Sequence, residues 1–224
     1  WLMDCSKKSK LFGHYPHRHI YNIVNAESFY MGEQSASRER LSLSTEKKII
    51  LCIGSLDYAR KGNNIIAEAL PLLDSQDVIL CCVGSVSETH KDNPSIVHLG
   101  YISDSSKMRD AYNAADVFVL PTMADNLPNT IVESLLCGTP VISYDVGGVT
   151  EQVNDHNGLL LRDRSPKSMA SALDAFFADQ SIYDRQSIAR EAHEKYAVSK
   201  TVDKHVDLYD LLLSDDRADV DAAI

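Results

Sequence analysis

The apolar positions follow a regular pattern from Lys47 onward, where short, wholly apolar runs alternate with segments whose apolar residues recur every three or four positions. The first pattern is typical of strands buried on both faces, and the second of amphipathic helices. The predicted strands are KKIILCIG, DVILCCVG, SIVHLGYI, DVFVLP, TPVISYDVGG and NGLLL. The predicted helices are NNIIAEALPLL, SDSSKMRDAYNAA, NTIVESLLCG, SPKSMASALDAFFAD, SIYDRQSIAREAHEKY and VSKTVDKHVDLYDLLL.

This alternation predicts an α/β fold, a doubly wound, Rossmann-like parallel sheet with right-handed crossovers. Such sheets bind ligands beyond the carboxyl ends of their strands, near the point where the strand order reverses. Small residues occupy the predicted ends, at Gly54-Ser55, Gly84-Ser85, Pro121-Thr122 and Val146-Gly147-Gly148. They allow a ligand to approach the backbone, although they also simply terminate strands.

The first 46 residues are less regular. WLMDCSKKSKLF has helical spacing, and HRHIYNIVNAESFY predicts a short strand followed by a turn. MGEQSASRERLSLSTE is polar and predicts a linker or surface loop. At the other end of the chain, residues 215–224 form an acidic tail that we expect to be disordered.

Charge and cysteine content narrow the function classes. The net charge of -10 argues against a nucleic-acid partner, because binding by counterion release needs clustered Lys and Arg. The five cysteines show no zinc-ligand spacing, and an odd number favours a reducing compartment. No apolar stretch approaches the ~20 residues that span a bilayer, and we expect no signal peptide. We expect a cytoplasmic location, with membrane association only through a further domain or an acceptor.

Two carboxylates, Asp125 and Glu133, lie on either side of a predicted helix start. The free N–H groups near Leu127 to Thr130 would point into the strand-end crevice, and such a helix start binds anions, phosphate above all. The carboxylates are better suited to accepting hydrogen bonds from the hydroxyls of a ribose or hexose. In the alternative interpretation, Asp125 caps the helix and Glu133 is solvated.

Two further segments reach the same edge of the predicted sheet. In GSLDYARKGNN, the adjacent cations Arg60 and Lys61 suit a diphosphate, although a basic surface dipeptide is the ordinary interpretation. In HLGYISDSS, either Tyr101 or Ile102 could flank a base, and a tyrosine in the core is the alternative.

The segment PTMADNLPNTIVESLLCGTPVISYDVGG resembles the donor-domain signature of the retaining GT-B glycosyltransferases, of the group 1 or family 4 type. That signature has two acids separated by seven residues, here Asp125 and Glu133, then an A-x-G-T-P-V segment and a Gly-Gly turn. The segment DNLPNT resembles the corresponding segment in the branch of the family that builds bacterial surface polysaccharides. The resemblance extends in order over residues 18–212, and includes IYNIVNAESF, IILCIGSLDYARKG, VHLGYISDSSKMRDAYNAADVFVLPT and VTEQVNDHNGLLL.

The resemblance implies roles for individual residues. Lys61 would hold the diphosphate, Asp125 would lie by the sugar hydroxyls, and Glu133 would bind the ribose; these three are the candidate catalytic residues. The candidate substrate-binding residues are Gly54, Ser55, Arg60, Lys61, Tyr101, Ile102, Asn126, Leu127, Pro128, Asn129, Thr130 and Glu133. The donor would be a UDP- or GDP-sugar and the acceptor a saccharide or lipid-linked saccharide, with no metal and no other cofactor.

The sequence departs from the family pattern in three places. The first acid is usually Glu and is Asp125 here, and an arginine that often follows the first-strand glycine is replaced by Ser55, for which Arg60 could compensate. The chain also corresponds to a single GT-B C-terminal domain. We expect residues 1–20 to belong to the N-terminal domain and linker, 21–198 to the donor domain, and 199–214 to a C-terminal helix. The partner would be the missing N-terminal domain, without which we expect the isolated chain to be inactive.

Two other functions fit the same residues. A non-catalytic nucleotide-sugar-binding module would keep the fold without the transfer, and a sugar-nucleotide epimerase would share the architecture. Transfer by the full-length protein that is lost on Glu133→Ala would exclude the first. Conversion of the donor sugar without an acceptor would identify the second.

Overall fold

In the computed structural model, residues 1–56, 61–86 and 88–213 are described. They contain one six-stranded, wholly parallel sheet with the strand order β3-β2-β1-β4-β5-β6. The strands are β1 Lys48–Ile53, β2 Val78–Val83, β3 Ile96–Gly100, β4 Val117–Leu120, β5 Val141–Tyr144 and β6 Gly158–Leu161. The α-helices are α1 Leu2–Lys7, α2 Gln34–Arg40, α3 Asn63–Ala69, α4 Ser105–Ala114, α5 Asn129–Leu136, α6 Pro166–Ala178, α7 Arg185–Lys195 and α8 Val198–Leu213.

The strand order reverses between β1 and β4, which are neighbours in the sheet but distant in sequence. Ile50 of β1 is in register with Leu80 of β2 on one side and with Val117 of β4 on the other. The chain leaves these two strands in opposite directions, so a crevice opens beyond their carboxyl ends. The predicted doubly wound, Rossmann-like fold is confirmed.

The sheet is the centre of the hydrophobic core. Every residue of β2, β4 and β5 is buried, because helices cover both faces, as expected for strands that are apolar at every position. Helix α3 packs against α6, and α5 packs against α7. Cys52, Cys81 and Cys82 are buried free thiols, so they act as small residues of this core.

Two predictions for the N-terminal part are wrong. Residues 17–24 form no strand, and the polar segment 31–46 contains helix α2, which packs on α4. Arg38 of α2 is buried, and its guanidinium donates to the carbonyl of Ala114 at 2.9 Å and to Asp116 at 3.0 Å. The segment is therefore held by hydrogen bonds to the end of α4, a contact that has no apolar signature.

The last helix has little cover from the rest of the described chain. The predicted C-terminal helix, 199–214, is observed as Val198–Leu213, in which Thr201 is buried. Several apolar residues of this helix are exposed: Val198, Val202, Val206, Tyr209, Leu212 and Leu213. Residue 214 and the predicted disordered tail, 215–224, lie outside the described residues. Within the described residues, no helix has the length and apolar character required to cross a membrane.

Candidate functional site

The carboxyl ends of β1 and β2 touch each other through glycines. Gly54 and Gly84 have φ of 108° and 130°, values that favour glycine. A Cβ on Gly84 would lie 2.8 Å from the carbonyl oxygen of Gly54. The two strand ends therefore present bare backbone at the edge where ligands of such sheets bind.

Asn63, the first residue of α3, fixes the loop that follows β1. It is fully buried, and its Nδ2 donates to the carbonyls of Ile53 and Ser55, at 3.2 Å each. Its Oδ1 is buried without a hydrogen-bond partner in the structure as described. Sequence analysis did not single out Asn63, because one polar residue at a helix start is the usual capping signal.

Lys61 and Asp125 form an ion pair across the switch point, with 2.9 Å between Lys61 Nζ and Asp125 Oδ2. The two side chains are 26% and 19% exposed, so the pair is largely shielded from water yet reachable. A tight turn places Lys61 there. Gly62 has φ of 67°, and a Cβ on it would lie 2.1 Å from the carbonyl oxygen of Pro121. The structure therefore brings together the two residues that sequence analysis placed on different loops.

The Gly-Gly turn after β5 supports the loop that carries Asp125. A Cβ on Gly147 would lie 2.1 Å from the Asp125 carbonyl oxygen, and one on Gly148 would lie 1.7 Å from that of Asn126. The Gly148 N–H donates to the Asp125 carbonyl at 3.2 Å, and the Asn126 N–H donates to Asp125 Oδ1 at 3.0 Å. The backbone and the carboxylate of Asp125 are thus both held in place.

The start of α5 carries no side-chain cap. Pro128 is the N-cap residue and α5 begins at Asn129, so the interpretation of Asp125 as the cap is wrong. Asn22, in the N-terminal segment, donates through Nδ2 to the carbonyl of Leu127 at 3.2 Å and to Asn129 Oδ1 at 3.0 Å. The N–H groups of the first turn, with the positive end of the helix dipole, remain suited to an anion.

Glu133 is in the second turn of α5 and pairs with Tyr112 of α4. The Tyr112 hydroxyl donates to Glu133 Oε2 at 2.8 Å. Burial raises the pKa of Glu133, and the hydrogen bond from Tyr112 partly offsets the rise. Burial, and then the charge of Glu133, raise the pKa of Tyr112 well above its ordinary value. Glu133 is therefore not the solvated surface carboxylate of the alternative interpretation, and its contact with ribose stays a prediction.

Tyr101 and Ile102 differ sharply in their exposure to solvent. Tyr101 is 87% exposed, so the alternative of a core tyrosine is wrong, whereas the Ile102 side chain is 8% exposed and belongs to the core. Gly100, which precedes them, has φ of 72° and open space around it. Of the two candidates, only Tyr101 presents a side chain against which a base could stack.

A cavity of about 280 Å³ lies beside the loop that carries Asp125. It is lined by residues of α1, by the segment 17–22, and by Asn126, Leu127 and Glu151. Sequence analysis missed this cavity, because the chain segments that enclose it are more than 100 residues apart.

The structure thus gathers Gly54, Ser55, Lys61, Asp125 and the start of α5 around the switch point between β1 and β4. Arg60 lies outside the described residues. No group of three or more His, Cys, Asp or Glu side chains that could hold a metal ion occurs in the described part of the chain. The described edge combines a cation, a fixed carboxylate, an uncapped helix start and exposed backbone.

Many α/β proteins bind phosphorylated ligands at an edge of this kind, beside the switch point of the sheet. The family model for glycosyl transferases group 1 matches residues 47–179, more than half of the 224 residues. The chain belongs to the group 1 glycosyltransferase family.

One curated relative and two solved structures are similar to this chain. TuaC of Bacillus subtilis, a glycosyltransferase provisionally named for teichuronic acid biosynthesis, is 29% identical over 181 residues, covering 73% of this chain and 46% of TuaC. Sucrose-phosphate synthase from Thermosynechococcus elongatus has a similar structure, with a TM-score of 0.82 and 22% identity over 95% of this chain and 57% of that one. The UDP-glucose complex of HepE from Anabaena gives a TM-score of 0.72 and 19% identity, over 85% and 56%. The chain spans about half the length of the curated relatives it matches.

Proposed function

We propose that this chain is the donor-binding domain of a retaining glycosyltransferase of the GT-B type, which moves a sugar from a nucleoside diphosphate to a saccharide or lipid-linked saccharide. The observation that carries the proposal is the contact between Lys61 and Asp125 at the switch point. It places a cation suited to a diphosphate beside an acceptor suited to sugar hydroxyls. The fold neighbour HepE was crystallised with UDP-glucose, which supports a nucleotide sugar as the donor.

The donor would lie along the edge from β1 to α5. Its diphosphate would contact Lys61 and the N–H groups at the start of α5, and its sugar ring would follow the backbone of Asn126 to Pro128. Asp125 would accept hydrogen bonds from the ring hydroxyls. The exposed ring of Tyr101, at the end of β3, would flank the base. Glu133 would contact the ribose through a carboxylate that Tyr112 already orients.

Transfer breaks the bond between the anomeric carbon and the diphosphate oxygen, so negative charge grows on the leaving oxygen. Lys61 and the start of α5 would stabilise this charge more in the transition state than in the bound donor. In the retaining reaction without a covalent intermediate, the acceptor oxygen attacks the same face and its proton passes to the departing phosphate. Neither a protein nucleophile nor a metal takes part in this scheme.

The acceptor class is proposed from the resemblance of the DNLPNT segment to the surface-polysaccharide branch. TuaC, whose match covers 73% of this chain, carries a name that provisionally assigns it to teichuronic acid biosynthesis. The complete reaction would need the N-terminal acceptor domain that this class of enzyme uses.

Nucleotide binding tests the proposal. At 100 times its dissociation constant, UDP or GDP should stabilise the chain by about 2.7 kcal/mol and raise the melting temperature by several degrees. Lys61→Ala should remove the increase. Lys204→Ala, which deletes an exposed lysine of α8, is the matched control and should keep it. The proposal fails if millimolar UDP and GDP both leave the melting temperature of the unaltered chain unchanged.

A further inference from the structure

The carboxylate of Asp125 has little freedom to leave the Lys61 ammonium. Its Oδ2 is 2.9 Å from Nζ, and its Oδ1 accepts from the Asn126 N–H at 3.0 Å. The backbone beneath it is held by Gly147 and Gly148, where a Cβ would clash. A phosphate that binds Lys61 must therefore share the ammonium with a fixed negative charge.

Two ligands of the proposed site respond differently to that charge. The terminal phosphate of a free nucleoside diphosphate is substituted only once, through the anhydride bond, and like a phosphate monoester it carries about -1.5 to -2 charges at neutral pH. In a nucleoside-diphosphate sugar the same phosphate is substituted twice, by the anhydride and by the ester to the sugar, so it carries one charge, and the sugar adds hydroxyl donors. An ionised carboxylate only accepts hydrogen bonds, so it repels the first ligand more and binds the second better.

We propose that Asp125, through its fixed pairing with Lys61, is a specificity-determining residue that makes the site prefer an intact nucleoside-diphosphate sugar over the free nucleoside diphosphate. This inference rests on the proposed function and deepens it, because it assigns to one carboxylate the discrimination between donor and product. The same repulsion favours departure of the nucleoside diphosphate after the sugar has been transferred.

Isothermal titration of the purified chain with UDP, UDP-glucose, GDP and GDP-mannose tests the inference. Asp125→Asn should bind the free diphosphate about tenfold more tightly, the size expected for one charge removed from a partly solvated site. It should bind the sugar nucleotide equally or more weakly, so the preference falls by at least about tenfold. Asp125→Glu, which keeps the charge, should restore most of the preference. A folding defect would weaken binding of both ligands and cannot tighten one of them.

The matched control is Asp145→Asn. Asp145 follows β5 at the same edge, and its carboxylate pairs at 3.4 Å with the exposed Arg162 instead of Lys61. Its loss should leave the preference unchanged. Asp125→Ala provides a second test should the amide variant be unstable. The inference is overturned if the Asp125 variants change the affinity for both ligands by the same factor, or leave both unchanged. If the unaltered chain binds none of the four ligands, the proposed function itself is overturned.

Discussion

Two ion pairs lie at opposite ends of the strands, here called the amino edge and the carboxyl edge of the sheet. They differ in how many of their hydrogen-bond donors and acceptors already have partners. At the amino edge, Arg38 pairs with Asp116 at 3.0 Å, and the two side chains are 7% and 13% exposed. At the carboxyl edge, Lys61 pairs with Asp125 at 2.9 Å, at 26% and 19% exposure. The distances are nearly equal, so distance alone does not distinguish a structural pair from a binding site.

The difference lies in the remaining donors and acceptors. The Arg38 guanidinium also donates to the carbonyls of Ala114, Thr45 and Lys47. Both oxygens of Asp116 accept further bonds, from the Ile49 N–H and from Gln34. These contacts use four of the five guanidinium N–H donors and both carboxylate oxygens, so the pair is nearly saturated.

The Lys61 ammonium, in contrast, has three hydrogens and one partner in the described part of the chain. The pair at the amino edge therefore has a structural role, whereas the Lys61 ammonium at the carboxyl edge keeps N–H donors for a diphosphate.

Arg38→Met should have the largest effect on stability. It would leave the Asp116 carboxylate and several backbone carbonyls buried without their charged partner, which typically destabilises by about 3–5 kcal/mol. Urea unfolding measures the loss. Arg40→Met is the control: it removes the pair with Asp110, but the Arg40 side chain is 54% exposed. Equal losses for the two variants would contradict the structural role assigned to Arg38.

Lys61→Met should have a much smaller effect on stability in the absence of a ligand. Asp125 is partly exposed and keeps its hydrogen bond from the Asn126 N–H, so the loss should be about 1 kcal/mol or less. The same urea titration, run beside Arg38→Met, gives the comparison directly. A loss as large as that of Arg38→Met would show that Lys61 is a structural residue, and the contrast between the edges would disappear.

Much of the carboxyl edge could be predicted from the sequence. Apolar runs located the strands, and the rule for switch points then placed Lys61 and Asp125 on one edge, where the structure shows them in contact. The amino edge could not be predicted in this way. Arg38 lies in a polar segment with no hydrophobic period, and its burial depends on Asp116, 78 residues further along the chain.

Polar residues whose partners lie on other loops were missed for a similar reason. Asn22 and Asn63 both hold loops of the candidate site, yet each is a single amide whose partners are determined only by the tertiary fold. The burial of Glu133 could not be predicted either, because a residue away from the apolar stripe of α5 is expected to be exposed to solvent. The packing of α4 beside α5 brings Tyr112 to that position instead.

Glu133→Gln should produce the smallest change in the free energy of unfolding, and the size of this change depends on pH. Burial raises the pKa of Glu133 above the usual 4.5, so the folded state keeps a proton that the unfolded state releases. Stability from this proton is present at pH values below 4.5 and is lost as the pH rises through the folded pKa. The free energy of unfolding of Glu133→Gln, minus that of the unaltered chain, should therefore increase from pH 4 toward pH 7.

Urea unfolding at several pH values measures this difference. Glu194→Gln, on the exposed side of α7, is the control that shows the effect of changing a solvated carboxylate to an amide.

Tyr112→Phe sharpens the test. Because the Tyr112 hydroxyl lowers the pKa of Glu133, its removal should raise that pKa further and make stability fall more steeply with pH. A difference that decreases with pH would instead show that the folded pKa of Glu133 is lowered, and a flat difference would mean that this carboxylate is solvated. It would then have to be recruited toward the ribose by the donor, instead of being held in advance by Tyr112.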